Sequence, residues 1–310
     1  MHLRNTLAAS ALSAVLVGTL ALAPAAVHAQ SRGVLPKLLT LPASTRAMAL
    51  GGAYQPTARH SDGIFYNPAL VNGSTGMGVD VQQWGRESSA AAVSAALPWF
   101  GGSVAVGLQT LQLGVAGTVV PDGEDHLFDA GGTAVSERLA TAGYARRLFG
   151  VEWGIAGKLA EERVGSARST VAMVNVGAAK GLGPVMVGVS AMDLGSRPFD
   201  GKDGLATPRV VAGAGAYGQP VGIFDVGFAA ALTWTEDRTS VGGGVELGYW
   251  PISGRTFVAR FGAQSASSGS EASPFTFGFA FWGDDLRLEW AYQDFGGGAS
   301  GTHRFGVAWH

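Results

Sequence analysis

From about residue 75 onward the chain alternates between apolar and polar positions. In Leu286-Arg287-Leu288-Glu289-Trp290-Ala291-Tyr292-Gln293, Leu286, Leu288, Trp290 and Tyr292 share one face, and Arg287, Glu289 and Gln293 share the other. Phe275, Phe277, Phe279 and Phe281 form a second one-sided ladder, facing away from Thr276, Gly278 and Ala280. Phe224, Val226, Phe228, Ala230 and Leu232 repeat the theme, as do Met77, Val79 and Val81 beside Asp80 and Gln82. Period two is the signature of a strand with two different faces. Fourteen such runs are found, near 75–84, 88–97, 102–113, 134–147, 151–163, 168–180, 185–194, 208–217, 222–235, 239–249, 255–264, 274–282, 285–295 and 302–309. Most are longer than the roughly 5–6 residues of an average soluble strand, and they match the roughly 9–11 residues of a tilted strand crossing a bilayer. Strand 102–113 changes phase near Gln109 to Leu111, where a bulge is expected. The run 134–147 carries Glu137, Arg138, Arg146 and Arg147 and has no clean lipid face.

The connections are sorted. Every second one is short and built of turn residues: Pro98 to Gly101, Leu148 to Gly150, Gly181 to Pro184, Gly218 to Val221, Trp250 to Gly254, and Gly283 to Asp284. The long ones, 114–133, 195–207, 265–273 and 296–301, fall between them. Tight turns on one side and long loops on the other is the asymmetry of outer-membrane barrels, with the tight turns periplasmic. Six of the eight Trp (Trp84, Trp99, Trp153, Trp234, Trp250 and Trp282) lie near predicted strand ends, and Trp309 ends the last strand. Interfacial aromatic girdles predict that placement. The expected fold is therefore all-β: a transmembrane, antiparallel, up-and-down β-barrel of about fourteen strands over residues 75–310.

Composition agrees. The chain is 47% hydrophobic but only 14% charged, against about 25% charged in soluble domains. Gly makes up 48 of 310 residues, too many for a helical protein, in which each interior Gly costs about 1 kcal/mol. Net charge is −2, with no basic run to suggest nucleic acid. A closed barrel pairs every backbone group without an edge, so neither a dense apolar core nor disulfides are needed, and there is no Cys. Inward-facing Asp80, Glu152, Lys158, Glu246, Arg260, Arg287 and Glu289 are expected to be solvated in the lumen.

Residues 1–29 read as a signal peptide. Met1-His2-Leu3-Arg4 is a short positive start, Leu7 to Ala26 is apolar, and Val27-His28-Ala29 is a small-x-small cleavage site. Pro24 and that site argue against an anchoring helix, and the lack of Cys excludes a lipoprotein.

Residues 30–74, between the signal and the first strand, read as a plug or hatch segment. Leu41 to Leu50 is compatible with a short helix that carries Arg46 on its polar side. Gly51-Gly52 permits positive φ or close approach, and Asn67-Pro68 reads as an N-cap followed by Pro at N1. The stretch "STRAMALGGAYQPTARHSDGIFYNPALV" (44–71) resembles the N-terminal signature of the PorV/PorQ family, which is related to the FadL-type outer-membrane transporters. Arg46, Met48, Gly51, Gly52, Ala53, Tyr54, Tyr66, Asn67, Pro68 and Ala69 occupy its positions, and Arg59-His60-Ser61-Asp62-Gly63 departs from the usual Ala-Asp-Asp-Ala. The closing "HRFGVAWH" is similar to the family's last strand, with Trp309 penultimate. The resemblance implies a fourteen-stranded barrel whose N-terminal segment plugs the lumen.

Little else carries chemistry. Gly213-Ala214-Gly215-Ala216-Tyr217-Gly218 spells a dinucleotide fingerprint but sits within a strand with no helix after it. No His pair has metal spacing and no G-x-S-x-G elbow occurs. Asp122, Glu124, Asp125 and Asp129 read better as a solvated acidic loop than as a Ca²⁺ site. No catalytic residue, cofactor or metal is expected. The partners expected are outer-membrane lipid and one of two cargoes. On the closer resemblance, secreted cargo proteins and type IX secretion components would meet the loops 114–133 and 195–207. On the alternative, a FadL-like channel would pass a hydrophobic small molecule when the hatch at Asn67-Pro68-Ala69 rearranges, with a lateral opening near 109–111. Loop 114–133 is only modestly apolar, without a large greasy surface, which tilts the sequence reading slightly towards the first.

Overall fold

A computed structural model describes residues 37–54, 59–84, 88–113, 119–121, 127–129, 135–165, 167–198, 207–236, 238–252, 255–265, 273–294 and 301–309. Among these, fourteen antiparallel strands close into one barrel. They are β1 (Gly76–Trp84), β2 (Ser88–Trp99), β3 (Gly102–Leu113), β4 (Val135–Leu148), β5 (Val151–Val164), β6 (Ala167–Leu182), β7 (Val185–Pro198), β8 (Arg209–Val221), β9 (Phe224–Trp234), β10 (Thr239–Ile252), β11 (Arg255–Gln264), β12 (Phe275–Trp282), β13 (Leu286–Gln293) and β14 (Thr302–Trp309). Each pairs with its neighbours in sequence. The first and last strands then close the ring, Met77 opposite Trp309 and Gln83 opposite His303. A separate short ladder joins Val119–Pro121 to Leu127–Asp129; Asp122, Glu124 and Asp125 lie outside the described residues, as do residues 1–36.

The alternation sorts the faces as expected. Phe275 and Phe279 are 59% and 58% exposed on the outer wall, while Thr276 between them is buried. Leu286 and Leu288 face out; Arg287, Glu289 and Ala291 face in. This outer belt of Phe, Val and Leu is what a bilayer covers, and the ring of ladders leaves no backbone edge to hydrocarbon.

Four expectations need correction. The ladder of β3 is unbroken on both sides through Gln109 to Leu111, so no bulge lies there. The register shifts lie instead between Ala172 and Val176 of β6 against β7, between Ala216 and Gln219 of β8, and between Tyr249 and Ile252 of β10. Second, strands β8 and β10 run through those last two shifts, so Gly218 to Val221 is ladder and the β8–β9 turn is at Gly222 and Ile223. Third, Trp84 is only 4% exposed and faces the lumen. Trp282 likewise stacks inward near Arg46 and Arg260, whereas Trp99, Trp153, Trp234, Trp250 and Trp309 stand on the outside. Fourth, the inward charges are buried and paired rather than solvated. The physical reason is that residues 37–54 and 59–74 occupy the space between them.

Candidate functional site

The N-terminal segment enters the lumen as four short turns. They are Lys37–Leu39, the helix α1 (Thr45–Ala49), Ser61–Phe65 and Pro68–Val71. Ser44 caps α1, its side chain accepting from the Ala47 N–H. Gly51 ends it at φ +64°, a conformation that costs a glycine little. Every residue of α1 is buried, so the helix has no polar side in water; Arg46 points into the wall instead.

Arg46, 1% exposed, donates through Nε to Glu246 Oε1 and through Nη2 to Glu246 Oε2, both at 2.7 Å. Arg260 Nε donates to the same Oε1 at 3.0 Å, and Arg260 Nη2 lies 2.7 Å from Glu289 Oε1. Arg287 Nε is 3.3 Å from the other oxygen of Glu289. The chain of charges thus runs from α1 across β10, β11 and β13. Burial alone would lower the Arg46 pKa, but the charge and hydrogen bonds of Glu246, with the charge of Glu289, together outweigh it and hold the guanidinium more firmly protonated than usual. Beside this network, Asp80 of β1 accepts from Thr45 N–H at 2.7 Å and Thr45 Oγ1 at 2.5 Å. Arg304 of β14 donates to the Ala43 carbonyl.

Gly51 and Gly52 stay beside α1 against β11 and β12, whereas Asn67, Pro68 and Ala69 rest on β5 and β6. Tyr54 and Tyr66 stack at 4.5 Å. Tyr54 donates to Asp62 Oδ1 at 2.7 Å, and burial, then Asp62, pushes its hydroxyl pKa well above the ordinary value. Tyr66 OH accepts from the Ala43 and Ser44 amides, each at 2.9 Å. Asn67 is the N-cap of Pro68–Val71, its Oδ1 accepting from the Ala69 N–H at 2.9 Å, as its sequence context predicts. Its Nδ2 reaches the wall, donating to the carbonyls of Ala178 and Val189 at 3.3 and 3.2 Å. Pro68 and Ala69 lie on β5. Gly52 donates its N–H to the Ala47 carbonyl and is exposed.

Sequence reasoning missed what these residues rest upon. A Cβ on Gly177 would overlap the Asn67 side-chain oxygen, and one on Gly154 would overlap the backbone at Pro68 and Ala69. One on Gly262 would meet Gly51. Inward glycines of the wall are therefore the seats of the N-terminal turns, and only their position on the inward phase of each strand hinted at it. Between Ser61, Asp62, Asp80, Ser94, Arg287 and Glu289 a cavity of about 10 Å³ remains, room for about one water.

An apolar outer wall and a closed antiparallel ring define the class: the chain is an outer-membrane β-barrel. No family model and no curated protein matches it. Its fold is similar to that of the Pseudomonas putida toluene transporter TodX, with TM-score 0.51 and 10% identity over 89% of this chain and 99% of that one. A Pseudomonas aeruginosa FadL homologue gives TM-score 0.51 and 10% identity over the same shares, 89% and 99%. A TodX deltaS2S3 mutant, described as a monoaromatic hydrocarbon channel, gives 0.56 and 11% over 86% and 97%. The fold resembles that of FadL-type outer-membrane transporters.

Proposed function

We propose that this barrel is a non-enzymatic channel through which hydrophobic small molecules cross the outer membrane, with residues 37–74 as its hatch. The fold likeness to a toluene transporter and to a FadL homologue supports this reading. The observation that carries it lies at the long-loop end of the lumen. There the inner wall is apolar, with Trp84, Leu111, Leu113, Val135, Leu139 and Met173 in one buried cluster. The greasy surface missing from loop 114–133 is inside the barrel. It also explains why 134–147 has no clean lipid face: Val135 and Leu139 belong to the lumen.

The lateral route moves with the corrected irregularity. Between β6 and β7 the register slips twice, around Val174 opposite Leu194, with Asp193 at φ +60° and Gly195 at φ +70°. A wall that has lost ladder bonds is the place where an apolar ligand can leave sideways.

The type IX shuttle stands second. It is supported by the matched positions of 44–71 alone, and the fold likeness favours the channel. Uptake of toluene and of a small apolar amide into proteoliposomes tests the channel: uptake of at least one well above empty liposomes is expected, and uptake of both equal to theirs sinks it.

A further inference from the structure

Leu38 and Leu39 sit at the centre of the apolar cluster, both buried, with Leu41 packed against it. Their turn is gripped by its backbone as well as its side chains. The Leu38 N–H donates to Glu137 Oε2 of β4 at 2.7 Å. From across the lumen, Arg209 Nη1 of β8 donates to the Leu39 carbonyl at 2.8 Å. Arg209 is braced in turn: its Nε lies 2.9 Å from Asp193 Oδ2, and Lys158 Nζ donates to Asp193 Oδ1 at 2.9 Å. The Asp193 N–H is held by Asn175 Oδ1 at 2.8 Å. A carboxylate and a guanidinium, fixed in a greasy wall, thus receive the N–H of one residue and the C=O of the next.

We propose that this chamber is a ligand site for hydrophobic molecules that carry an amide or an equivalent donor–acceptor pair, such as an apolar peptide or an acylated amine, and that Leu38-Leu39 is its tethered occupant. The proposal deepens the channel reading and rests on it for the ligand's passage. The ligand class follows from the bonds left behind when the leucines leave. A plain hydrocarbon would fill the volume but strip Glu137 of an N–H and Arg209 of a carbonyl, and an unmade hydrogen bond in a buried site is costly, more so for charged groups. A molecule with both groups restores both bonds. The site therefore selects against pure hydrocarbons, unlike a channel lined by carbon alone. Because the occupant is tethered, its effective concentration is in the millimolar range, and a free ligand competes against that.

The test uses the full chain in lipid nanodiscs and calorimetry with two probes, N-acetyl-leucyl-leucine amide and toluene. The double variant Leu38→Ala/Leu39→Ala should bind the amide on the order of tenfold tighter than the unaltered chain, about 1.4 kcal/mol. Arg209→Met should weaken the amide by on the order of tenfold and leave toluene unchanged. Glu137→Gln, a milder change of nearly the same shape, should weaken it in the same direction. Retained heat-modifiable mobility on gels confirms that each variant is a folded barrel. An amide affinity that does not rise once the two leucine side chains are removed overturns the proposal, as does toluene binding there as tightly as the amide. Flux of both probes into proteoliposomes separates the two readings. Toluene flux without amide binding removes the chamber and keeps the channel, whereas amide binding without flux of either compound keeps the chamber and removes the channel.

Discussion

The Arg46 guanidinium and the Glu246 carboxylate, 200 positions apart in the chain, meet through two parallel hydrogen bonds of 2.7 Å inside the barrel. Two-pronged pairs of this kind are the strong ones, and Arg presents its donors in a fork that Lys lacks. Removing Arg46 leaves Glu246 with Arg260 as its remaining charged partner, so the cost falls below that of breaking an isolated buried pair, about 3–5 kcal/mol. Arg46→Ala is therefore expected to undock α1, exposing the N-terminal segment to protease and raising conductance in planar bilayers. Arg46→Lys should give a smaller change in the same direction. A protease pattern and conductance identical to those of the unaltered protein would show that this pair does not hold the segment.

Glycine substitutions offer matched controls on single strands. Gly154→Ala and Gly177→Ala drive a methyl into Pro68-Ala69 and Asn67, whereas a Cβ on Gly157 or Gly181 meets nothing within 4 Å. Overpacking a filled site costs about 1–3 kcal/mol. The first two variants should leak and the last two should not. Equal conductance across all four would mean that the wall glycines are not seats for the hatch.

Asn67 ties its own turn to the wall with one side chain. Asn67→Ala removes a helix cap, worth about 1 kcal/mol, together with both bonds to Ala178 and Val189. Asn67→Ala combined with Pro68→Ala should raise leak conductance; an unchanged value argues against any sealing role.

The outer face is tested separately. Phe279 lies midway along β12 and faces outward, so Phe279→Arg should lower folding stability in liposomes by about 2–4 kcal/mol, measured by denaturant titration. A change near zero would place that face away from lipid.

The strands were legible in the sequence because period two is a local property: each residue's face follows from its neighbour's. Phe275 to Phe281 and Leu286 to Gln293 therefore predicted their own orientation, and the Asn67 cap predicted its turn, since its partner Ala69 is two residues away. Trp84 and Trp282 were misread because position near a strand end says nothing of which side the ring faces. The bulge was misplaced because it is defined by the partner strand's register, and a phase change among Gln109, Thr110 and Leu111 mimics it.

Sequence alone thus determined the barrel, its strand number, its sorted faces and its apolar outer wall, all consequences of short-range alternation and turn chemistry. Tertiary structure alone decided what the inner face meets. Arg46 finding Glu246, Gly177 receiving Asn67, and Glu137 and Arg209 closing on Leu38 and Leu39 all depend on contacts between residues far apart in the chain. Such pairs leave no periodic trace, because burying a charge or a leucine inside a barrel is settled only when closure brings distant strands around the same segment.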